Sequence, residues 1–224
     1  MGFQALFDNT TGTPLTAVGS FALTNNTTGV HNTALGVEAL KTATTSQQNT
    51  AVGSHAMQLT TTGSYNTAVG REALHSNTTA SGNVAVGHQA GYANTTGGSL
   101  VAVGKSSLTA NTTGSRNVAV GFSALETNTT GNNNTAVGNA SLEANTTGGT
   151  NAAFGRNTML NNTTGSYNTG LGESSFVSNT TGQYNTAVGS ASLRANTTAS
   201  YNTAVGYQAS LNATTGVANT FVGG

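Results

Sequence analysis

The chain lacks cysteine and tryptophan, holds one proline, and spreads only six basic and six acidic residues over 224. Charged residues make up 5% of it, where a soluble domain ordinarily carries about a quarter. Without cysteine there are no disulfide staples and no thiolate metal sites. Six scattered basic residues form no patch that could displace counterions from a polyanion, so nucleic acid is not an expected partner. No apolar run approaches the ~20 residues of a membrane-spanning helix, and membrane insertion is not expected. A secretory signal is not visible either, because Met1-Gly2-Phe3 already lies in phase with the repeat that fills the chain. A myristoylation site is likewise not expected, since Leu6 stands where that motif wants Ser or Thr.

What is abundant is glycine, asparagine, threonine and alanine, laid out with a fixed period. Glycines stand at 2, 19, 36, 53, 70, 87, 104, 121, 138, 155, 172, 189, 206 and 223, always seventeen residues apart. Thirteen whole units result, without insertion or deletion. Low hydrophobicity can mean disorder, but disorder goes with high net charge and loose spacing; here the net charge is zero and the spacing rigid. A fixed short period calls for a repeat architecture, and residues 1–224 read as one repeat domain, expected to be a segment of a longer fibre protein.

Counting from each glycine as position 1, threonine fills positions 9 and 10 in all thirteen units. Position 5 is Leu, Met or Phe in eleven, failing at Gly91 and Ser210, where Tyr92 and Leu211 come next and are expected to compensate. Position 17 is always apolar, and position 16 is Ala except at Gly170 and Phe221. Position 4 is Ala, Ser or, at Thr158, Thr. Asparagine dominates positions 8 and 14, with Ala43, Thr60, Ala213, Leu15 and Leu100 as exceptions. All twelve charges fall at positions 2, 3, 6, 7 or 13. Each unit therefore has an uncharged frame and a few free, outward positions.

Seventeen residues are too few for a helical hairpin, and recurrent Gly and Thr-Thr disfavour helix. Asn-Thr-Ala-Val reads as a short strand ended by glycine, the stretch around positions 4 and 5 as a second strand, and NTTG as a turn using left-handed Asn and Gly. The fold expected is all-β: a parallel β-solenoid, or β-roll, of about thirteen 17-residue coils stacked about 4.8 Å apart. Asparagine and threonine columns would form hydrogen-bonded ladders along the axis. If the large residues at positions 5 and 17 fill the lumen, the small ones at 4 and 16 line a second face. Such a face would suit close packing against another chain, and a homo-oligomer, with a trimer favoured, is expected on that ground.

Catalysis needs titratable groups gathered in a pocket. His31, His55, His75 and His88 occupy four different columns, and Arg71-Glu72 reads as a solvated pair. No catalytic, cofactor-binding or metal-ligating set is legible, and the chain does not read as an enzyme. Position 13 carries Tyr65, Tyr167, Tyr184 and Tyr201, the last three in consecutive coils. Stacked tyrosines could make a surface-binding strip for a glycan, or simply a packing ladder. N-x-T triplets such as Asn94-Thr95-Thr96 are formal glycosylation acceptors, but their regularity fits turn and ladder chemistry.

The phrase Asn185-Thr186-Ala187-Val188-Gly189, with its copies at 117–121 and 32–36, resembles the head repeats of trimeric autotransporter adhesins. The longer phrase at 185–198 is similar to repeats of large bacterial surface proteins and phage tail-fibre-like proteins. That resemblance implies an extracellular, cell-surface or virion fibre. It further implies a structural shaft or adhesin head that presents its variable positions to a cell-surface glycan or receptor. The adhesin heads have a shorter unit, so their handedness and trimer geometry do not carry over. A self-assembling filament is the second expectation, because neither end shows an aperiodic polar cap. Ice binding through threonine columns is the third. The column at position 15 is interrupted there by Val84, Val101, Val118 and Ala152.

Overall fold

The computed structural model describes residues 2–223, and among them there is no helix. The chain divides into two compact units between Ser115 and Arg116. The first contains β1 (Leu15–Val18), β2 (Asn32–Leu35), β3 (Thr50–Val52), β4 (Thr67–Val69), β5 (Val84–Val86) and β6 (Val101–Val103). The second contains β7 (Val118–Val120), β8 (Thr135–Val137), β9 (Ala152–Phe154), β10 (Thr169–Leu171), β11 (Thr186–Val188), β12 (Thr203–Val205) and β13 (Thr220–Val222). Within each unit every strand pairs in parallel with the next in chain order. The offset is one repeat, as in Thr50↔Thr67 and Thr186↔Thr203. The architecture is a parallel β-solenoid with one strand per coil.

The expected second strand around positions 4 and 5 is absent. Positions 1 to 8 instead form three overlapping turns, closed in the coil of Gly36 by Ala39 N–H to Gly36 O, Lys41 N–H to Glu38 O and Ala43 N–H to Leu40 O. The intervening N–H groups of Glu38, Leu40 and Thr42 donate to Ser20, Ala56 and Gln58 in neighbouring coils. Every N–H from 38 to 43 is thus used, alternately within and between coils. Besides the position-1 glycines, positive φ falls at positions 3, 5 and 13, not on the Asn and Gly of NTTG: Glu38, Leu40 and His31 have φ of 57°, 50° and 58°. Burying a leucine is worth roughly 2–3 kcal/mol, more than the ~1–2 kcal/mol of a left-handed L-residue.

This backbone reverses the expected facing of three columns. Strand residues alternate, so Asn at 14 and Ala at 16 point inward while positions 15 and 17 point outward. The alanines at 34, 51, 68, 85, 119, 136, 153, 187 and 204 are wholly buried. Val18 is 51% exposed, Leu35 41% and Leu171 45%. Position 4, expected on an outward face of small residues, is buried together with position 5, because alternation fails where the backbone turns. The small columns are the core, opposite Leu23, Leu40, Met57 and Leu74 in the first unit and Leu125, Leu142, Met159 and Phe176 in the second.

Deviations from the frame compensate within a coil. Thr158 is the only Thr at position 4, and the same coil has the only Gly at position 16. A Cβ on Gly170 would stand 2.7 Å from Thr158 Cγ2 and 3.1 Å from Met159 Cε. Ser210, small where leucine is usual, shares a recess with Phe221, large where alanine is usual. Tyr92 does not fill in for Gly91; it lies half-buried against His75, and the large buried residue of that coil is Leu100. Leu211 is half-buried in the same outward column as Tyr92.

Two amide ladders tie coil to coil. At position 8, Asn162 Nδ2 donates to Asn145 Oδ1 at 2.9 Å and to Gly165 O at 3.0 Å, and Asn179 Nδ2 donates to Asn162 Oδ1 at 2.6 Å. At position 14, Asn66 Nδ2 donates to Asn49 Oδ1 at 3.1 Å and to Ala80 O at 2.9 Å. Threonine at position 9 adds a third column, Thr95 Oγ1 donating to Thr112 O at 3.0 Å. The first ladder breaks at two successive rungs, Ala43 and Thr60, and there Asn26 Oδ1, Ser46 Oγ and Thr60 Oγ1 are buried without a partner. Where it is intact, the asparagines of the Asn-Thr-Thr triplets are buried and doubly bonded; glycosylation there would break the ladder.

The Thr158–Gly170 pair yields a test. Gly170→Ala should cost about 1–3 kcal/mol by overpacking, and Thr158→Ser should restore most of that loss in the double variant. Urea unfolding of the four proteins in the cycle measures it; additive losses would show that the two positions do not face each other.

Candidate functional site

Three outward features are built on this frame. The first is the outer face of the parallel strands. Position 17 is Val, Leu or Phe in all thirteen coils. Its neighbour on the same strand face, position 15, is Thr, Val or Ala. Neither column carries a charge. Position 17 is exposed in eight coils and half-buried in the other five, although strand propensity alone would also admit Thr and Tyr there. Position 10 also faces outward, its threonine exposed in every coil, whereas its partner at position 9 is taken up by the axial ladder.

The second feature lies in the first unit, where positions 3 and 6 of successive coils form a polar network. Gln58 Nε2 donates to Glu38, and His75 Nε2 lies 2.6 Å from Gln58 Oε1. Because the Gln58 oxygen faces the ring, His75 Nε2 carries the proton, and Nδ1 accepts from Ser76 Oγ at 3.3 Å. His75 stacks on Tyr92 with ring centroids 4.9 Å apart. His55 approaches Glu38 Oε2 at 4.0 Å, so two histidines from different columns share one group of neighbours. His88 and His31 stand outside it. Glu72 accepts from Gln89 Nε2 at 2.8 Å and pairs with exposed Arg71 at 2.8 Å. The Gln89 bond, seconded by Arg71 and opposed by burial, holds the Glu72 carboxyl below its usual range. Among the described residues no three His, Asp or Glu side chains are placed to hold a metal ion.

The third feature is the tyrosine column. Tyr167, Tyr184 and Tyr201 come together, with centroid separations of 4.9 and 5.1 Å and interplanar angles of 5° and 6°. The stack covers both faces of Tyr184, so its middle offers edges and hydroxyls rather than ring faces. Tyr65 belongs to the first unit and lies between Gln48 and Gly82 in its column; it is 59% exposed. In the second unit Thr127, Glu143, Ala144, Leu160 and Asn161 line a shallow notch of about 250 Å³. Burial there, reinforced by Glu126, raises the Glu143 carboxyl. Nothing in single residues of the sequence points to the network or the notch; only the seventeen-residue offset between residues such as 58 and 75 could reveal them.

Burial pushes His75 below the ordinary imidazole range; Glu72 pulls it up and His55 pushes it further down. The folded state therefore prefers the neutral ring. The stability tied to it is fully present above the unfolded value of about 6.5 and is lost as pH falls from there through the lower folded value. His75→Gln should flatten the unfolding midpoint across that acidic window; an unchanged pH profile would place the effect elsewhere.

No protein family matches the sequence, and neither a curated protein nor a solved structure matches it.

Proposed function

We propose that this chain is a section of an extracellular structural fibre: a shaft that packs on copies of itself through its outward valine column and presents the variable columns for attachment. The observation that carries the reading is position 17, apolar in all thirteen coils and turned to solvent. An uncharged strand face of this kind suits association with a like face, since apolar area is removed from water without stranding a charge. The small-residue columns, now in the core, lend the oligomer no support. The resemblance of the NTAVG phrases to adhesin-head and tail-fibre repeats agrees with a shaft, as does the confinement of charge and most aromatics to positions 2, 3, 6, 7 and 13.

Light scattering tests it. The wild-type chain should run at a multiple of 22.2 kDa, and Val69→Lys/Val188→Lys, one change in each unit, should run as a monomer with its circular dichroism unchanged. A mass that grows without limit with concentration would favour the filament. A wild-type monomer would remove self-packing.

Ice binding is a second reading of the same face, because Thr at 15 and Val at 17 set hydroxyl and methyl groups in rows repeating once per coil. It requires the face to stay free. A wild-type monomer with thermal hysteresis that Val69→Lys reduces would favour it over the shaft.

A further inference from the structure

We infer that Tyr65 and the bare rung at Gly82 form a subsite for one neutral pyranose ring, and that Tyr184, covered on both faces, does not. The inference rests on the reading of the variable columns as attachment positions and identifies which of them takes a sugar.

Position 13 of the coils is a ladder. Its backbone repeats closely: φ is 61° at Tyr65, 59° at Tyr167, 56° at Tyr184 and 62° at Tyr201. The N–H groups of Tyr65, Gly82 and Ser99 each donate to the position-12 carbonyl of the preceding coil, Gln47, Ser64 and Ser81. A filled rung takes 4.9–5.1 Å, the spacing of the stacked tyrosines. In the three-ring stack both faces of Tyr184 are covered, while Tyr167 and Tyr201 each have a ring on one face only. Gly82 breaks the pattern directly after Tyr65. A Cβ placed on it would meet nothing within 4 Å, so the rung is open from the backbone outward. The distance from the Tyr65 rung to the Ser99 rung is two strand spacings, about 10 Å, with one aromatic thickness of room between them. A pyranose fits such a slot, its CH face against the phenol ring.

The polar groups around the slot suit hydroxyls. Ser81 Oγ accepts a bond from Ser64 N–H at 3.0 Å and keeps its own proton for a ligand oxygen. Ser99 is exposed at the far side. Positions 12 and 13 of these coils carry Gln47, Gln48, Ser64, Ser81 and Gly98 and no charge, which selects a neutral sugar over an acidic one.

The test is saturation-transfer NMR with methyl β-glucoside, methyl β-galactoside and methyl α-mannoside at millimolar concentration. At least one should receive saturation from the wild-type chain. Tyr65→Ala should weaken that affinity about three- to tenfold. Gly82→Tyr should abolish transfer; φ at Gly82 is 72°, near the 56–62° of the tyrosines in this column, so the fold is kept and the slot is closed by a ladder ring. Tyr184→Gly opens an equal slot between Tyr167 and Tyr201 and should gain transfer. No transfer to any wild-type sample, or transfer that survives Gly82→Tyr, overturns the subsite. The solution mass of Gly82→Tyr, read beside it, stays that of the wild type, so loss of sugar binding and loss of self-packing are separable.

Discussion

The structure depends on one constraint: each coil must lie on a near-copy of itself at the distance of a single strand spacing. Position 1 shows how strict this is. A Cβ on Gly53 would stand 2.4 Å from the carbonyl oxygen of Gly70, and φ there is +136°, so both contact and conformation demand glycine. At that distance any buried polar side chain meets its own kind, and asparagine is the residue whose amide can donate to one neighbour and accept from the other. The ladders at positions 8 and 14 are the result. So is the defect at Ala43 and Thr60, where two successive missing amides leave polar atoms on three side chains without partners.

The same constraint separates the surface from the frame. Seventeen residues enclose only a narrow lumen, which Leu at position 5 nearly fills, leaving room for alanine across from it. The valines must then stand outside, and each unit carries a regular apolar face. The variable columns are free because nothing stacks through them except what the sequence chooses to place there. Three tyrosines in succession close both faces of the middle ring; one tyrosine beside a glycine keeps a face open.

The period, the parallel strands and the ladders are legible in the sequence, because a fixed offset of seventeen forces like residues together. The facing of the strand is not. Alternation says that positions 16 and 17 oppose each other but not which is inside, and size alone favours the larger residue for the lumen, which is the wrong choice here. A signal for the correct choice is present: Thr158 with Gly170, and Ser210 with Phe221, are paired departures within single coils, and such pairs mark positions that face each other. The left-handed turns at 3 and 5 have no such signal, since Leu and Glu are poor advertisements for positive φ. The tyrosine column is readable, but the distinction between its covered and uncovered faces needs the three-dimensional spacing of the rungs. The His75 network escapes because its members occupy different columns joined only across coils.

The most direct test of the stacking account is the unfolding of Asn162→Ala beside Asn161→Ala. The two residues are adjacent, one inside the ladder and one exposed. Removing the buried amide strips Asn145 Oδ1 and Gly165 O of a donor and Asn179 Nδ2 of an acceptor, and should lower stability by about 2–4 kcal/mol. The exposed change should stay within about 0.5 kcal/mol. Equal small effects would contradict the claim that axial amide ladders hold the coils together.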